Sequence, residues 1–118
     1  LEDVLCIERK ASVEEIANNL GKKKNAFLSE MERMQKFKYP FMVLEFSMED
    51  LLKFPENSKI PKNKLKQVRI TGKYLLKSLV EFQLWYNTKI IFCGNKYNSF
   101  LVTNSIFKRA NEIAHGDE

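Results

Sequence analysis

The chain reads as an α/β domain, with helices packed on an at least partly parallel sheet. Three short apolar runs suggest strands: Val4-Leu5-Cys6-Ile7, Phe41-Met42-Val43-Leu44-Glu45-Phe46 and Lys89-Ile90-Ile91-Phe92-Cys93. The stretches between them carry apolar residues at helical spacing, bounded by recognisable caps. Strands joined through helices need crossover connections, which favour parallel pairing beneath a helical layer.

Residues 1–10 form the first expected strand. Ser12 and Glu15 make an S-x-x-E capping box that opens a helix bearing Val13, Ile16, Ala17 and Leu20, closed by Gly21. Asn25 is the expected cap of a second helix, whose Phe27, Leu28, Met31 and Met34 share one face. Residues 41–46, after Pro40, are nearly all apolar, as in a strand buried on both faces. Ser47 and Asp50 open a short helix over 48–54 that Pro55 stops.

Residues 55–69 are rich in Lys, Pro and Asn and read as a linker, too short to divide the chain. A helix over 71–86 presents Leu75, Leu76, Leu79, Val80 and Phe82. A strand over 89–93 follows, then a turn at Gly94-Asn95 and a last helix over 98–114. That helix carries Phe100, Leu101, Ile106, Phe107, Ala110 and Ile113. A single domain over residues 1–118 is expected.

Composition agrees. A chain of 118 residues buries roughly two thirds of its unfolded surface, enough for one core without staples. Hydrophobic residues make up 44% and charged residues 30%, as in a globular domain, and no apolar run approaches the roughly 20 residues needed to cross a bilayer. No secretory signal is legible at the start. Cys6 and Cys93 fall in apolar strands without a Cys-x-x-Cys or Cys/His cluster, so buried free thiols are expected rather than structural zinc. The expected surroundings are intracellular and reducing, nuclear or cytoplasmic.

The tripeptide Glu8-Arg9-Lys10 ends the first strand. Side chains alternate along a strand, so Glu8 and Lys10 point together and Arg9 points away. That pairing suits phosphodiester hydrolysis: a carboxylate to hold a divalent metal, and an ammonium to orient water or steady charge developing in the transition state. A solvated strand edge gives the same spacing by chance.

The flanks of the tripeptide add to its meaning. Ile7 to Ile16, the basic turn after it, the helix containing Phe27-Leu28-Ser29-Glu30-Met31 and the strand Phe41 to Phe46 resemble the nuclease domain of the XPF family. That family carries a Gly-Asp, a variable hairpin and V-E-R-K-x-x-x-D. Glu8, Arg9 and Lys10 match its E-R-K, and the resemblance extends in outline over nearly the whole chain. It implies a restriction-endonuclease-like fold, a central mixed sheet flanked by helices. It also implies an endonuclease that uses magnesium or manganese to cut DNA at branches or single-strand/double-strand junctions. Glu8 and the carbonyl of Arg9 would hold the metal and Lys10 would position the water. Dimers, homo- or heteromeric, are a family habit, as is a tandem helix-hairpin-helix module that is not legible here.

Two departures are visible. The motif's final Asp is Glu14 here, one methylene longer, and is carried as a candidate catalytic acid. The Gly-Asp, whose Asp is a metal ligand, would precede Leu1, and residues 1–7 read as the second arm of the hairpin. A first residue other than Met is expected of a piece of a longer protein, which would supply that acid. Two alternatives stay open: a catalytically inactive scaffold of the same fold that binds DNA or dimerises, and an unrelated small basic α/β protein with a surface Glu8–Lys10 pair.

The net charge is +5 and the lysines cluster. Lys22, Lys23 and Lys24 form one group, and Lys36 with Lys38 a second. Lys62, Lys64 and Lys66 form another, extended by Lys59, Arg69, Lys73 and Lys77. Such clusters attract a phosphate backbone through counterion release, and are carried as candidate DNA-binding residues, although lysines also simply solubilise a surface. Nothing reads base edges, so recognition by backbone and shape is expected. Glu45 suits an acid behind the metal ligands, a helix cap or a lysine partner. Glu30 faces either the site or solvent. Trp85 and Tyr86 suit core or interface aromatics, Tyr97 a nucleic-acid contact, and His115 no role.

Overall fold

The structure, a computed structural model, describes residues 1–116. The elements are β1 (Leu5–Lys10), α1 (Val13–Leu20), α2 (Lys24–Met34), β2 (Tyr39–Leu44), α3 (Met48–Leu52), a 3-10 helix (Lys62–Gln67), α4 (Gly72–Trp85), β3 (Lys89–Phe92) and α5 (Lys96–Ala114). The sheet order is β1-β2-β3, with both neighbours parallel. The mixed sheet implied by the resemblance is therefore an all-parallel one among the described residues, because every link between strands runs through helices.

Strand β1 is shorter than expected. The backbone N–H groups of Val4 and Leu5 both donate to Leu1 O, at 3.1 and 3.0 Å, so the first four residues close a turn instead of extending a hairpin arm. Strand β2 starts two residues before the expected position and includes Pro40, opposite Cys6. The proline is tolerated because β3 begins its pairing one residue later, with Lys89 opposite Phe41, so no ladder donor is missed. Helix α2 starts at Lys24 with Lys23 at its N-cap and no side-chain cap bond, which places Asn25 inside the first turn instead.

The two faces of the sheet have different covers. Cys6, Met42, Leu44, Ile90 and Phe92 face the layer of α1 to α4, where Ile16, Phe27, Met31, Leu51, Leu75, Leu79 and Phe82 complete the core. Ile7, Arg9 and Phe41 lie on the other face, against α5. On the first side α3 and α4 meet closely at Gly72, where a Cβ would overlap the carbonyl of Leu51 and come within 2.7 Å of Leu52 Cα. The Gly72 N–H donates to Phe54 O at 3.0 Å, fixing the approach.

Candidate active site

Alternation along β1 sends Glu8 and Lys10 to the α1/α2 side, in register with Met42 and Leu44 of the central strand. Lys10 is buried at 3% exposure. Its ammonium stands 5.4 Å from the centroid of the Phe27 ring. Nζ reaches Glu30 Oε1 at 3.2 Å and Glu8 Oε1 at 3.9 Å. A lysine taken this far from water needs carboxylate partners, and here it has one from its own strand and one from α2. Glu30 Oε1 is itself shielded from solvent and has no directed hydrogen bond beyond this ion pair.

Two carboxylates now share one ammonium. Burial pushes the Glu8 carboxyl above its ordinary value, and the like charge of Glu30 pushes it further. Lys10 pulls back in the opposite direction, with smaller contributions from Glu15 (upward) and Arg33 (downward). Two carboxylates thus meet one buried ammonium at the end of β1, with Arg33 and Glu15 near enough to act on Glu8.

Arg9 lies on the opposite face. Its Nε is 3.4 Å from Glu45 Oε2, and the Glu45 side chain is only 7% exposed. Of the roles open to Glu45, the structure shows the ion pair, with an arginine in place of a lysine. The backbone of β1 also alternates. The carbonyls of Val4 and Lys10 accept from Tyr39 N and Glu45 N of the β2 side, so by parity the carbonyl of Arg9 turns to the open edge of the sheet.

Glu14 is not brought into this group. It stands exposed in the first turn of α1, while its neighbour Glu15 accepts a hydrogen bond from Ala11 N at 2.8 Å and adds a smaller upward push on Glu8 than Glu30 does. Lys22, Lys23 and Lys24 line an open concavity at the α1–α2 turn, and Lys62, Lys64 and Lys66 are exposed along the 3-10 helix. Trp85 is exposed, Tyr86 half-buried against Phe82, and Tyr97 exposed. His115 ends α5, its ring 2.7 Å from Asn111 O. Cys6 and Cys93 are free thiols, each pushed upward in pKa chiefly by burial.

Among the described residues no group of three or more His, Cys, Asp or Glu is arranged to hold a metal ion. Magnesium does not demand one, since it is commonly held by one or two carboxylates together with substrate phosphates and water. Glu8 and Glu30 fit that requirement: both are hard oxygen donors, Glu30 Oε1 lacks a directed hydrogen bond, and the pair exceeds Lys10 in charge. The place of Glu30 had a signal in the sequence. Phe27, Glu30, Met31 and Met34 recur at helical spacing, which sets Glu30 on the apolar stripe.

A family model, the ERCC4 domain, matches residues 1–106, from the turn before β1 into α5. No curated protein and no solved structure gives a match. With nearly the whole chain matched, and with the E-R-K tripeptide closing β1 as described, the chain belongs to the ERCC4 domain family of XPF-type structure-specific nucleases, which act on DNA.

Proposed function

We propose that this chain is a restriction-endonuclease-like endonuclease domain that hydrolyses phosphodiester bonds in branched or junction DNA with magnesium or manganese. The observation that carries the reading is the buried Lys10 ammonium held between the carboxylates of Glu8 and Glu30 at the end of β1. Glu8 and Glu30 would hold the metal, with the Arg9 carbonyl available at the sheet edge. Bound there, the ion supplies Lewis-acid stabilisation of charge on the phosphate. Lys10 orients the attacking water and steadies developing negative charge. Its confinement by Phe27 and Glu30 leaves it little freedom to lose. Arg9 and Glu45 brace the end of the strand from behind, and the lysines of the α1–α2 turn and the 3-10 helix hold the backbone of the substrate.

Two further parts belong to this reading. Val80, Leu84 and Trp85 are exposed on α4, which suits a homodimer or a heterodimer through that helix. Two unpaired cysteines suit a reducing intracellular setting, nuclear or cytoplasmic. A second reading, the catalytically silent DNA-binding or dimerisation scaffold, is favoured by one observation: the ammonium of Lys10 already stands between the carboxylates. Incubation of labelled splayed-arm DNA with the protein in magnesium, manganese or chelator separates the two. Metal-dependent nicking supports the enzyme, and tight binding without nicking supports the scaffold.

A further inference from the structure

On the sheet face away from Glu8 and Lys10, a cavity of about 270 Å³ opens between the end of β1 and the first turns of α5. Helix α5 contributes one stripe to it, Lys96, Ser99, Phe100, Thr103 and Phe107, spaced at three and four residues. Strand β1 contributes Ile7 and Arg9, and Glu45 enters from just past the end of β2. Three features of this cavity are unexplained by the fold. Ser99 is 1% exposed, yet its Oγ has no hydrogen-bond partner. Phe100 is 60% exposed and Phe107 48% exposed, on a rim that also carries the charged Lys96. Glu45, nearly buried, meets Arg9 by closest approach at Nε, which does not exhaust the five donors of a guanidinium.

Arg9 neutralises Glu45, so Lys96 leaves the cavity with an excess positive charge. A cation, a buried hydroxyl without a partner and an exposed aromatic face are the parts of a site for one nucleotide of a single strand: a phosphate to satisfy the first two, a base to stack on the third. We infer that this cavity takes a single-stranded nucleotide unit, its phosphate against Arg9, Lys96 and Ser99 and its base against Phe100. The site uses neither Glu8 nor Lys10. It stands on DNA binding and is independent of cleavage.

The test is a fluorescence-anisotropy titration of the full chain with a labelled oligothymidylate of about ten nucleotides, and with an abasic oligomer of the same length. Both are followed across a salt series, with sedimentation velocity as a check on assembly. The expected result is that Phe100→Ala weakens oligothymidylate binding roughly fivefold or more while leaving the abasic oligomer unchanged. Lys96→Gln should flatten the salt slope by about 0.7 with both oligomers. Lys96 and Phe100 are exposed, so both variants should fold. Three results overturn the inference: equal affinity of the wild-type chain for the two oligomers, unchanged affinity in Phe100→Ala, or an effect of Phe100→Ala on sedimentation alone. If only charge reversal at Lys22, Lys23 and Lys24 weakens binding, the cavity assignment falls while the DNA-binding reading stands.

Discussion

Lys10 Nζ lies 3.2 Å from Glu30 Oε1, so the lysine of the E-R-K tripeptide is tied to the second helix as firmly as to its own strand. That tie makes Lys10 part of the fold as well as part of the candidate chemistry. The two roles separate in different measurements.

Lys10→Ala should destabilise the chain by roughly 3 kcal/mol, because the partly buried Glu30 carboxylate, with one oxygen shielded from solvent, loses its partner. The double variant Lys10→Ala/Glu30→Gln should recover part of the loss. Chemical denaturation of the four species reads the coupling. Purely additive effects would mean that the ion pair contributes nothing to the fold.

Glu8 should show the reverse sign. Its carboxyl is raised above the ordinary value in the folded chain by burial and by Glu30, so the folded state binds the proton more tightly than the unfolded state does. The stability associated with this group is fully present below the unfolded carboxylate value and is lost as pH rises through the folded value. Glu8→Gln should therefore be more stable than the wild type near neutral pH, with the difference closing under acid conditions. Thermal melts of both proteins from acid to neutral pH check this. A Glu8→Gln chain that is less stable at neutral pH would show that Lys10 outweighs burial and Glu30.

Gly72→Ala should be costly although alanine favours helices. The added Cβ has nowhere to go between Leu51 and Leu52, so α3 and α4 must separate, at a cost of roughly 1–3 kcal/mol. A melt unchanged from the wild type would show that the α3–α4 contact yields easily.

The layer order of strands and helices was legible because several elements announce themselves locally: Ser12 and Ser47 do cap α1 and α3, and the apolar runs became strands, whereas α5 starts at Lys96, two residues earlier than expected, because Asn95 caps it by accepting from Asn98 N instead of only turning the chain. What escaped depends on partners. Pro40 looked like a strand boundary because its acceptability rests on where β3 begins. The Arg9–Glu45 pair depends on β1 and β2 being in parallel register, which neither segment specifies alone. Residues 62–67 read as linker because their lysines show no apolar face, yet the chain coils there into a 3-10 helix. In the site, alternation placed Glu8 with Lys10 correctly, while the choice of Glu30 required knowing that α2 packs over the end of β1.

Self-association through α4 should appear at high protein concentration. Leu84 is 78% exposed and Trp85 65% exposed, and Leu84→Glu should shift the sedimenting species toward the 13.9 kDa chain. A wild type that stays monomeric at high concentration would remove the dimer from the account.

The most direct test is nicking of splayed-arm DNA by the wild type, Glu8→Gln and Lys10→Ala, with DNA binding and folded fraction measured on the same samples. The account predicts nicking by the wild type only with magnesium or manganese. It predicts loss of most activity in Glu8→Gln and, per folded molecule, in Lys10→Ala. DNA affinity should be largely retained, because it comes from the distributed lysines. Cleavage at the wild-type rate in both variants would contradict it.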